Sequence, residues 1–201
     1  MILNPDDYLV LAKSLTTVIK VKGSKFICTA IHCLTKEDAE TEYSNLKKKY
    51  YDATHNCLAW RIDENIWRYS DDGEPTGTAG KPILQAIDSK GIKEILCVVT
   101  RYYGGTKLGT GGLIRAYGDS AMETLNQLKV KVKTHWVEVD ITFNYTLENL
   151  VRKTLNEFGG KLNDSQYSDL VKMKLALPRS KSDDFKNILL ELSNSTIKIN
   201  S

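Results

Sequence analysis

The sequence predicts two consecutive α+β domains, and three observations predict them. Short strand-like runs interleave with segments of helical periodicity along the chain, none long enough for a single extended element. A basic stretch with no acid, Thr100 to Gly118 (TRYYGGTKLGTGGLIRAYG), links a buried strand to a helix. Beyond Lys131 the pattern restarts as a strand–helix–strand–strand–helix–strand unit of its own.

The elements follow in order. The first residues read as helical or loose. Residues 17–21 and 26–33 form a hairpin turning at Lys22-Gly23-Ser24. Thr35 caps a helix over 36–50, because Ala39, Tyr43, Leu46 and Tyr50 share a face. Residues 57–62 and 66–69 pair around Asp63-Glu64-Asn65, and Pro82 and Gly91 bracket a short helix over 83–89. The run Ile95-Leu96-Cys97-Val98-Val99 is a buried strand, and a long helix covers 113–128. In the second half, strands over 136–143, 161–167, 171–177 and 196–199 alternate with helices capped by Thr146 and Ser182. That order is ferredoxin-like, βαββαβ. The domains are expected to cover residues 1–133 and 134–201.

Composition narrows the function. Of 201 residues, 41% are hydrophobic and 26% charged, close to globular averages. The longest apolar runs are far too short to span a membrane, and the opening MILNPDDYLVLAK has no cationic leader, so the protein is expected in the cytoplasm with no membrane contact. Cys28, Cys33, Cys57 and Cys97 lie in apolar runs without a C-x-x-C pair and read as buried thiols. Net charge is +3. Up to Thr134 there are 19 Lys and Arg against 16 Asp and Glu; beyond it the numbers are 9 and 9. The surplus therefore sits with the glycine-rich stretch, which suits a local anion site better than a protein wrapped in nucleic acid.

That stretch places Gly104, Gly105, Gly109, Gly111 and Gly112 among Arg101, Lys107 and Arg115. Glycines uncover backbone N–H groups, and a strand–loop–helix junction offers them to an anion. The spacing fits neither a Walker loop, since Thr110 stands where lysine is needed, nor G-x-G-x-x-G. Tight turns and close packing explain glycines equally well. Tyr102 and Tyr103 point to opposite faces, so one can stack on a base or pack under the turn. Upstream, Thr78, Gly80 and Lys81 open the short helix as a second set of anion donors. Asp71, Asp72 and Glu74 either hold a Mg²⁺ that bridges to a phosphate or fix the loop by pairing with Arg101 or Arg115. His55 and Cys57 project from one strand face and read as a core histidine beside a core thiol.

Two blocks, SDDGEPTGTAGKPIL and VVTRYYGGTKLGTGGLIRAY, with KGSKFI and His55-Asn56-Cys57-Leu58-Ala59 upstream, resemble the YigZ/IMPACT family over residues 20–125. The resemblance implies a first domain similar to the second domain of a small-subunit ribosomal protein. It implies a C-terminal unit similar to a domain of the translocation elongation factor. Eukaryotic relatives are similar to regulators of a starvation-responsive translation kinase, acting through a protein partner. Three functions follow as expectations: a non-catalytic module that contacts RNA or the translation machinery through the glycine-rich groove, a small enzyme using the Asp71/Asp72/Glu74 loop on a phosphorylated metabolite, or a protein–protein adaptor.

Overall fold

The computed structural model describes residues 4–200 and contains five helices and three sheets. It divides into two compact units, one formed by Tyr8–Val132, the other by the chain up to Asp7 together with everything from Lys133.

The opening segment is not helical or loose but a strand, β1 (Asp7–Leu11), because it pairs with β7 (Val130–Thr134), a strand that the local pattern does not announce. Between them run β2 (Leu15–Val21), β3 (Ser24–His32), α1 (Lys36–Lys49), β4 (His55–Asp63), β5 (Ile66–Ser70), α2 (Gly80–Lys90), β6 (Ile95–Tyr102) and α3 (Gly109–Asn126). Five strands form one antiparallel sheet in the order β2-β3-β6-β4-β5.

Central β6 is buried on both faces, so its sequence is continuously apolar. Ile95, Cys97 and Val99 join Phe26, Cys28, Cys57, Ile83, Ile87, Leu113 and Tyr117 in a core beneath α2 and α3. Leu96 and Val98 join Leu58, Trp60, Ala39 and Leu46 beneath α1. Helices thus cover both faces of the sheet. Thr35 caps α1 in a reciprocal box with Asp38, whose carboxylate accepts from the Thr35 N–H at 3.1 Å. Helix α3 starts four residues earlier than its periodicity suggests. Three glycines lie in that first turn, where packing of Leu113 and Tyr117 prevails over their weak helical preference.

The second unit follows β8 (Trp136–Phe143), α4 (Glu148–Glu157), β9 (Lys161–Tyr167), β10 (Val171–Pro178), α5 (Ser182–Leu192) and β11 (Lys198–Asn200). Its antiparallel sheet has the order β11-β8-β10-β9. The inward residues Val139, Ile141, Phe143, Val171, Met173, Leu175 and Leu177 meet Val151, Leu155, Phe185 and Leu189 of the two helices. Two expected caps shift. Each helix is preceded by a 3-10 turn, so Asn144 rather than Thr146 accepts the first N–H, and Ser182 lies buried inside α5. No helix among the described residues is long and apolar enough to cross a membrane.

Candidate functional site

Strand β6 delivers Arg101 to the edge of the core, opposite Phe26 of β3 and His55 of β4. Alternation puts its side chain on the α3 side, with Val99. The guanidinium is buried, only 5% exposed, and its Nη1 donates to Glu74 Oε1 at 2.5 Å. Tyr117 of α3 donates its hydroxyl to the same oxygen at 2.8 Å. The guanidinium also lies 5.6 Å from the centre of the Phe26 ring and 5.5 Å from that of Tyr103. Burial, then Cys57 and Glu74 beside it, push the Tyr117 hydroxyl well above the ordinary tyrosine range, so it stays a neutral donor. One group is left over: Arg101 Nε is buried without a hydrogen-bond partner.

The acidic block is divided among three tasks, which corrects the expectation of a shared Mg²⁺. Asp71 accepts from the N–H groups of Gly77, Ala79 and Gly80 at 2.8, 3.0 and 2.8 Å and so closes the start of α2. Asp72 accepts from the Asn56 N–H at 2.7 Å and from Lys47 Nζ at 3.0 Å. Glu74 is committed to Arg101 and Tyr117. The block does fix the loop, yet Glu74, not either aspartate, pairs with Arg101, and Arg115 is not its partner. Among the described residues no group of three or more His, Cys, Asp and Glu side chains gathers as a metal would require.

The same contacts dispose of the second donor set. Asp71 already occupies the Gly80 N–H, and Thr78 Oγ1 donates to the Pro75 carbonyl at 2.7 Å. Lys81 is exposed on α2.

The glycine-rich loop has two parts with different reasons for glycine. A Cβ on Gly104 would lie 1.9 Å from the carbonyl carbon of Gly23, so only glycine lets the β2–β3 turn approach. There Ser24 Oγ accepts the Gly104 N–H at 3.1 Å. Gly105 and Gly109 have φ of +84° and +71°, the left-handed region. Gly111 is in the helix, and a Cβ there would meet nothing within 4 Å; at Gly112 it would meet only the Leu108 Cβ, at 3.1 Å. The first turn of α3 contains no acid and no side-chain cap. Its leading N–H groups therefore lack intrahelical acceptors.

This turn borders a cleft of about 440 Å³ lined by His55, Glu74, Pro75, Arg101, Tyr103, Lys107, Leu108, Gly109, Thr110 and Leu113, with Thr54. Lys107 and Tyr103 are exposed at it. Tyr102 turns away to donate its hydroxyl to Asp52 at 2.8 Å, a bond that pushes its pKa up to about 12. Arg115 lines a separate groove between α2 and α3, with Gln85 and Asp119. The expected cationic trio is thus one buried ion-paired arginine, one exposed lysine and one arginine elsewhere.

His55 and Tyr117 are the residues that the sequence argument passed over. His55 Nδ1 donates to the Asp72 carbonyl at 2.7 Å, since a carbonyl only accepts, and its Nε2 lies 4.0 Å from Glu74 Oε2. A hydroxyl among the apolar positions of α3 was the one local signal for Tyr117. His55 has none, because its place opposite Arg101 is a matter of strand register.

Fold and site together define a mixed α/β protein of two units, the first bearing a cleft where a bare helix start meets a buried arginine. The chain belongs to the IMPACT family: the Impact N-terminal domain matches residues 22–125, and a domain of unknown function (DUF1949) matches residues 141–196. It is 35% identical to the IMPACT family member YigZ of Escherichia coli (strain K12), over 96% of this chain and 97% of that protein. It is 37% identical to the IMPACT family member YvyE of Bacillus subtilis (strain 168), over 88% and 82%. A crystal structure of a hypothetical protein, 35% identical, covers 98% of this chain and 97% of its own with a TM-score of 0.69.

Proposed function

We propose that this chain is a non-catalytic anion-binding protein that contacts RNA of the translation machinery through the cleft at the start of α3. One observation carries the reading: an uncapped, acid-free helix start and an exposed lysine flank a buried arginine whose Nε has no partner. A helix N-terminus favours anions through its free N–H groups and its dipole. The strand order of the second unit supports its ferredoxin-like assignment, and the helix-covered sheet of the first supports a ribosomal-protein-like one. Family resemblance adds translation as the field and leaves a protein partner as a further role.

The cleft offers one exposed cation, so binding is expected to be modest and to involve few phosphates. The test is fluorescence anisotropy with a single-stranded RNA at low and physiological salt, using wild type and Lys107→Ala. Each neutralised phosphate contributes a slope of about −0.7 in log affinity against log salt. The reading expects Lys107→Ala to weaken binding and flatten the slope by about one such step. Equal affinities and equal slopes for the two proteins would end it.

A further inference from the structure

Gly111 has no reason inside the protein to be glycine. It sits in the first turn of α3 without a left-handed φ, and a side chain there would meet empty space. Alanine would suit a helix better. A glycine in that position is explained if something from outside the chain rests directly on the turn. The same turn presents N–H groups with neither acid nor cap, and beside it Arg101 Nε, in a residue 5% exposed, lacks a partner. Those donors suit a compact anion seated on backbone. The rest of the cleft is of a different character: the exposed Tyr103 ring, Leu108, Leu113 and Pro75 form an apolar wall that a bare inorganic ion would not use.

The geometry points to a phosphomonoester on a nucleoside as the ligand. Its phosphate sits on the first turn of α3 between Lys107 and Arg101 Nε, and its base lies against Tyr103. The inference rests on the anion-binding reading above and narrows it. A terminal phosphate offers three non-bridging oxygens and enters end-on, whereas a backbone phosphodiester offers two and must run on in both directions. A cleft of about 440 Å³ falls among pockets that hold single small ligands, about 300–1,000 Å³. A tyrosine face accepts any base, which is why the nucleoside is left general. The ligand can be a free nucleoside monophosphate or the 5′-monophosphate end of an RNA.

Calorimetric titration of the full chain with adenosine 5′-monophosphate, adenosine and inorganic phosphate tests this. A five-nucleotide RNA with a 5′-phosphate and the same RNA with a 5′-hydroxyl complete the set. The monophosphate should bind at least tenfold more tightly than adenosine or phosphate alone. Gly111→Ala should melt no lower than wild type yet bind it at least tenfold more weakly, and Tyr103→Ala should weaken the nucleotide without affecting phosphate. Preference of tenfold or more for the 5′-phosphorylated RNA identifies an RNA end as the source; binding of the mononucleotide alone identifies a free nucleotide. Equal, salt-sensitive binding of both RNAs that weakens in Lys107→Ala would overturn the phosphomonoester and leave the RNA reading standing. Nucleotide binding unchanged in Gly111→Ala would overturn the placement on α3, and no binding of any probe would overturn both readings.

Discussion

Glu74 receives Arg101 and Tyr117 on a single carboxylate oxygen, inside a core that excludes water. Removing one partner of such a pair strands a buried charge. Glu74→Ala should therefore lower stability by about 3–5 kcal/mol, and the double replacement Glu74→Leu with Arg101→Met should recover much of that loss. Urea titration of the three proteins checks both expectations. The two kinds of glycine separate just as sharply. Gly104→Ala drives a methyl into the Gly23 backbone and is expected to be severely destabilising, whereas Gly111→Ala should stabilise by about 0.5–1 kcal/mol. Thermal melts of the two variants, shifted in opposite directions, would separate packing from unoccupied space as the reason for glycine. The sequence shows both residues in one run and offers no means of telling them apart.

Helix ends are decided by which group reaches the first N–H groups. Helix α1 was legible, because Thr35 and Asp38 stand three residues apart and the box closes locally. Thr35→Ala should lower stability by about 1 kcal/mol in a urea titration. Helix α2 was legible in extent but not in its cap. Asp71 lies eight and nine positions before the Ala79 and Gly80 N–H groups that it accepts, a distance that only a folded loop brings to zero. Asp71→Ala should lower stability by about 2–3 kcal/mol, since three N–H groups lose a charged acceptor together, whereas Asp71→Asn should keep part of it. The urea midpoints of both variants measure this. Helix α3 has neither kind of cap. That absence, not its glycine count, makes its start available.

At the scale of the molecule, all four cysteines fall within Tyr8–Val132, each buried. Burial pushes the Cys33 thiol up to about 12 and the Cys57 thiol further up, so each holds its proton at pH 8 and the reactive thiolate is scarce. The folded chain is expected to resist iodoacetamide at pH 8 and to take up four equivalents in urea, counted by mass spectrometry. Rapid native labelling at Cys57 would contradict its burial. Because the second unit has its own core and no cysteine, labelling should follow unfolding of the first unit alone. Fluorescence of Trp136, in a Trp60→Phe, Trp67→Phe background, should report the second.

The sequence by itself determined the two-part organisation, the interleaved strands and helices, the Thr35 cap, the buried strand β6 and the family, because periodicity, local capping and the glycine-rich blocks are properties of near neighbours. It also marked the region of the cleft. Tertiary structure decided what each residue there does. Antiparallel register set His55 and Phe26 against Arg101, the return of the 71–80 loop committed three carboxylates to three sets of partners, and α3 carried Arg115 into another groove while bringing Tyr117 to Glu74. These are pairings between residues 16 to 46 positions apart, counted from Arg101 and Tyr117 to the groups they meet or miss. Charge and spacing along a chain show which residues are available; the energy of burying an arginine decides which of them it takes.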